Sequence, residues 1–144
     1  MANFWNSTLM SNSCISCGGS GVYFYINWDK NIMPCVFVPY YHENITMLYN
    51  SGKFLTHAMF SPLIIKGMAW QKNLLGDKNN PGNLLTPCFY RDHYKIFYEN
   101  AQQILMLPEN EKADETFHSR EYHDFMLQFD NKLEEMASLL FGTN

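Results

Sequence analysis

Tyr122, Met126, Phe129, Leu133, Met136 and Leu140 recur at spacings of 4, 3, 4, 3 and 4 residues. No other stretch of the chain restricts the fold as tightly. Asp124, Gln128, Asn131, Glu134, Glu135 and Ser138 fall between them, so a helix gathers the apolar residues into one stripe and turns the polar ones outward. Gly142 supplies its end. The stripe needs a cover, and the expected one is the domain's own sheet. A 3.5-residue repeat also suits pairing with a second chain, so monomer and dimer through the C-terminal helix both stay open.

Val22 to Trp28 is rich in aromatic and β-branched residues and reads as a strand. Asp29-Lys30-Asn31 gives a turn, and Ile32 to Tyr41 reads as a second strand with Pro34 and Pro39 marking an edge or bulge. Ile45 to Tyr49 and Phe54 to Phe60, joined by Asn50-Ser51-Gly52-Lys53, predict a second hairpin. Pro62 to Trp70 fits strand or short helix. Residues 71–87, centred on Gly76-Asp77-Lys78-Asn79-Asn80-Pro81-Gly82, read as a loop. Arg91 to Leu107 favours helix, and Pro108-Glu109-Asn110-Glu111 suits a helix start or linker. The expected architecture is α+β in a single domain over residues 1–144. A small antiparallel sheet from about 22–70 is packed by helices at about 90–106 and 115–141, with an irregular arm over residues 1–21.

Charge narrows the function. The chain carries a net charge of −4 and no Lys/Arg cluster, so nothing collects phosphates and direct nucleic-acid binding is disfavoured. An acidic domain suits a protein partner better. Aromatic residues make up 16% of the sequence, a high share for a small domain; core filling takes the larger part, and several are expected at a binding surface. Pro39-Tyr40-Tyr41-His42 and the 71–87 loop are the expected contacts, with Tyr40 and Tyr41 the partner-binding residues. Met1 to Ser13 shows neither a basic region nor a sustained apolar run, and Phe54 to Trp70 is too interrupted to span a membrane. The expected compartment is the cytoplasm, where four cysteines read as thiols or metal ligands before disulfides.

Cys14-Ile15-Ser16-Cys17-Gly18-Gly19-Ser20-Gly21 carries the most specific chemistry. C-x-x-C spacing lets both sulfurs meet one zinc ion, and the glycine permits the turn that aims backbone N–H groups at them. The run C-x-x-C-x-G-x-G resembles a single repeat of the DnaJ-type zinc-binding region. That family uses four repeats to complete two sites; the likeness here covers eight residues, and no family assignment follows. If the first two strands pair antiparallel about Lys30, Cys35 faces Tyr25 and His42 faces Gly18, beside the knuckle. The candidate zinc ligands are therefore Cys14, Cys17, His42 and Cys88, with Cys35 the alternative fourth. A redox role is disfavoured because the motif runs into a strand and not a helix. The same objection removes Gly18 to Gly21 as a phosphate loop.

Catalytic groupings are sparse. Cys35 with His42, or Cys88 with His93 and Asp92, would give a cysteine nucleophile its base. Glu115-x-x-His118 and His123 have carboxylate–histidine spacing on the final helix, but no second helix with the same motif accompanies them. The expected function is a small protein-binding or regulatory module of inhibitor, immunity or adaptor type, with a structural zinc knuckle. The alternatives are an enzyme using a cysteine nucleophile or metal-bound water, and a zinc-containing nucleic-acid-associated module.

Overall fold

The computed structural model describes residues 24–75, 88 and 90–141. Strand β1 (Tyr25–Ile26) turns back into β2 (Asn31–Met33), with Tyr25 facing Met33 and Ile26 facing Ile32. This register differs by two residues from a hairpin centred on Lys30, and Asn27 explains why. Its side-chain oxygen accepts the Asp29 N–H at 3.1 Å and the Asn31 N–H at 2.9 Å. Lys30 takes the left-handed conformation with φ 66°. Together they close a three-residue loop, Trp28 to Lys30, centred on Asp29. Met33 therefore stands where Cys35 was expected.

The strand expected from Ile32 to Tyr41 is also broken. Pro34 has no N–H to continue the ladder, and the Cys35 carbonyl accepts the Val38 N–H at 3.1 Å, turning the chain away. The far half becomes β3 (Tyr40–Tyr41), which pairs antiparallel with β5 (Leu107–Pro108) in a separate two-stranded sheet. After it, β4 (Glu43–Asn44) returns to the other edge of β2, giving the order β1-β2-β4. His42 thus sits in the step between the two sheets, and its expected neighbour Gly18 lies outside the described residues.

The predicted second hairpin is helical. Asn44 caps α1 (Ile45–Asn50) by accepting the Thr46 N–H at 2.8 Å. Its end is a glycine cap: Gly52, at φ 72°, gives its N–H to Tyr49, while Lys53 gives its N–H to Leu48. Asn50-Ser51-Gly52-Lys53 is as good a helix stop as a hairpin turn, which is how the sequence misleads. A 3₁₀ helix (Leu55–Phe60) follows, then α2 (Pro62–Leu75), which carries helix five residues into the expected loop. Ile32, Leu48 and Ala58 make the small core beneath this half.

The larger core joins β3 to the C-terminal helices. Helix α3 (Tyr94–Gln102) is followed by β5, α4 (Glu111–His118) and α5 (Arg120–Phe141). Ser119 splits the expected last helix into two, because its extended backbone (ψ 115°) ends α4 and its Oγ accepts the Tyr122 N–H to start α5. Tyr40, Tyr90, Phe97 and Ala113 are buried together, with Phe117, Met126 and Leu127 packed against them. The architecture is α+β, with small antiparallel sheets and C-terminal helices packed on them.

Candidate functional site

Cys14 and Cys17 lie outside the described residues. Their two expected partners are both placed. The His42 Nδ1 stands 2.5 Å from the Leu105 carbonyl oxygen, so Nδ1 donates and Nε2 is left as the basic nitrogen. Cys88 is half-buried against the larger core, and its Sγ accepts the Arg91 N–H at 3.4 Å. Cys35 packs against the same core. Among the described residues, no three His, Cys, Asp or Glu side chains gather closely enough to hold a metal ion.

The nucleophile pairings meet local structure. Asp92 is buried and its carboxylate accepts the Cys88 N–H at 3.0 Å while pairing with the Arg91 guanidinium. It shapes the turn leading into α3. The His93 ring packs on Trp70, with centroids 4.3 Å apart. Glu115 and His118 share α4, but His118 turns its Nδ1 back to the Asp114 carbonyl at 2.9 Å. His123 belongs to α5, where its Nδ1 meets the Tyr94 hydroxyl at 3.1 Å and its ring packs on Tyr98 at 4.4 Å.

Tyr40 is not at the surface. Only 8% exposed, it packs its ring at a tilt on Phe97 and edge-on to Phe117, each at 5.8 Å, and donates its hydroxyl to the Ala113 carbonyl at 3.0 Å. Burial, helped by the nearby Tyr122 and Asp114, pushes its phenol up to about 12. Burial raises Tyr94 as well. Tyr41 is half-buried and pairs with Leu107. Of the other expected contact, residues 76–87 lie outside the described residues; an exposed aromatic row lies elsewhere.

The 3₁₀ helix carries it. With three residues per turn, positions i and i+3 eclipse, so His57 and Phe60 stand one above the other. Phe54, just before the first turn, continues the row: its ring lies 6.4 Å from that of His57. The imidazole also holds the helix start, its Nδ1 receiving the Phe54 N–H at 3.2 Å. Phe54 is 73% exposed and Phe60 is 70% exposed. On the adjoining α1, Met47 and Tyr49 are exposed too. The result is a mainly apolar ridge on a defined backbone, with both phenyl rings facing water. Its signal was present in the sequence as the i, i+3, i+6 spacing of Phe54, His57 and Phe60, legible only once that segment is known to be 3₁₀.

A second apolar surface lies on α5. One side of this helix packs inward through His123, Met126, Leu127 and Ala137, and its Asp130 accepts the Tyr94 and Lys95 N–H groups that begin α3. Phe125, Phe129, Met136 and Leu139 project elsewhere and are exposed. A shallow depression lined by Arg120, Glu121, Asp124, Phe125 and Gln128 opens at one end of this row. Among the described residues no helix is long and apolar enough to cross a membrane. No family model, curated protein or solved structure matches the chain.

Proposed function

We propose that this protein is a small binding or regulatory module, of inhibitor, immunity or adaptor type, that acts by contact with another protein. The observation that supports this reading is the Phe54–His57–Phe60 ridge. Two phenyl rings at 73% and 70% exposure raise the cost of the unbound state in water, and an interface that buries them recovers that cost. The 3₁₀ helix and the bond from the Phe54 N–H to His57 fix the backbone that carries the row, so the ordering left for binding is that of the side chains. The net charge of −4 favours a partner with a basic rim around an apolar centre.

Structural zinc belongs to the same proposal. It rests on the Cys14–Cys17 spacing and on His42, whose Nδ1 donates to a carbonyl as metal-bound histidines commonly do. Cys88 would be the fourth ligand. A cytoplasmic setting would keep these thiols reduced.

The test compares capture from an extract of the source cells by immobilised wild-type protein and by a Phe54→Ala/Phe60→Ala variant. The expected result is a protein held by the wild type alone, which then binds in purified form at least about tenfold more weakly to the variant. Equal capture by both proteins would contradict the reading.

A further inference from the structure

We infer that the outward face of α5 is a seam for a second copy of this chain, forming an antiparallel two-helix contact. The inference is independent of the 3₁₀ ridge. Tyr122, Phe125, Phe129, Lys132, Met136 and Leu139 follow one another at spacings of 3, 4, 3, 4 and 3, the repeat of a two-helix seam. Their apolar members are 39%, 60%, 41%, 52% and 80% exposed, in chain order. The domain's own packing runs mainly along a neighbouring side of the helix, through His123, Met126, Leu127 and Ala137, and reaches the seam at its first residue, where Tyr122 meets Tyr94 edge-on with centroids 5.9 Å apart. The sequence periodicity therefore contains two overlapping stripes, and only one is covered.

Charge and symmetry choose the occupant and its direction. Lys132 sits in the middle of the seam. A parallel pairing would set it against the same lysine of the other copy. An antiparallel pairing with its two-fold axis between Asp130 and Asn131 sets Tyr122 against Leu139, Phe125 against Met136 and Phe129 against Lys132. The ammonium then lies on a phenyl face instead of beside another ammonium. The flanking Gln128 meets Glu135 in this register, so like charges are kept apart there as well.

Area sets the strength. A buried aromatic side chain removes roughly 150–250 Å² from water. With the exposures above, the five apolar residues offer about 500 Å² per copy, which is about 1,000 Å² for the pair. That is the lower end for a specific interface, which suits a weak dimer whose population depends on protein concentration.

Sedimentation velocity on the full chain between about 1 and 300 µM tests this directly. The wild type should pass from monomer to dimer within that range. Phe125→Lys and Met136→Glu, both at exposed positions, should each stay monomeric with an unchanged far-UV spectrum. An equimolar mixture of these two variants should recover the dimer, because position 125 of one copy faces position 136 of the other. Leu139→Glu serves as a replacement should either variant lose its fold. A wild type that stays monomeric, or a dimer indifferent to these changes, overturns the seam. Loss of the dimer without recovery in the mixture overturns the antiparallel register.

Discussion

Tyr40 shows how a residue picked for a surface can serve a core. Its ring fills the space between Phe97 and Phe117, and its hydroxyl ties β3 to α4 through the Ala113 carbonyl. Tyr40→Phe should lose one buried hydrogen bond and about 1 kcal/mol, while Tyr40→Ala should cost about 3–5 kcal/mol in a denaturant titration. The phenol also makes stability fall in alkali. Its folded value of about 12 lies above the ordinary 10, so the unfolded chain gives up the proton first. The contribution is complete below about pH 10 and is lost as pH rises toward 12. Tyr94, raised in the same direction, adds to this slope. Unfolding followed from pH 8 to 11 should show a shallower decline for Tyr40→Phe than for the wild type. A decline of equal slope would remove Tyr40 as its cause. Three asparagines were equally hard to read from sequence. Asn27 fixes the hairpin loop, and Asn44 reaches both the Asp29 carbonyl at 2.8 Å and the Asn31 side chain at 2.9 Å. Local composition marks such residues as turn formers but does not say which backbone group each will hold.

At the scale of elements, long-range caps decide what local signals leave open. His93 offers α3 no side-chain cap, and Asp130 from α5 takes that place by accepting the Tyr94 N–H at 3.0 Å and the Lys95 N–H at 2.8 Å. A carboxylate there also meets the positive end of the helix dipole. Asp130→Ala should destabilise the protein by about 1–2 kcal/mol in chemical unfolding, and Asp130→Asn by less. Equal stability of all three proteins would mean that α3 holds its start unaided. The α+β class and the C-terminal helix were legible because a long 3.6-residue pattern is hard to mistake. Ile45 to Phe60 was not, since its β-branched and aromatic residues suit a strand while Asn44 and Gly52 cap a helix. The register of β1 and β2 slipped because the Asn27 side chain, invisible to a count of turn residues, moves the loop centre by one position. Of the proposed zinc ligands, His42 and Cys88 are placed and Cys14 and Cys17 fall outside the described residues. Their union is a matter for metal analysis. Protein purified without a histidine tag should carry about one zinc per chain, and Cys14→Ser/Cys17→Ser should carry none. A metal-free wild type would reduce these residues to ordinary thiols and an ordinary imidazole.

At the scale of the whole molecule, two rows of exposed rings and aliphatic chains stand out among the described residues. The 3₁₀ ridge is aromatic and held by its own backbone geometry; the α5 row is longer, mixed in composition and symmetric about its middle. The first suits a different protein and the second suits another copy, so a dimer would present two ridges to its partners. The proposal turns on whether Phe54 and Phe60 are exposed for binding or merely tolerated. The decisive measurement pairs the unfolding free energy of Phe54→Ser/Phe60→Ser with its affinity for the captured partner. Side chains about three-quarters exposed contribute little to folding, so stability should stay within about 0.5 kcal/mol while affinity falls at least about tenfold. A loss of more than about 2 kcal/mol in stability with affinity intact would make the ridge a structural feature and contradict the account.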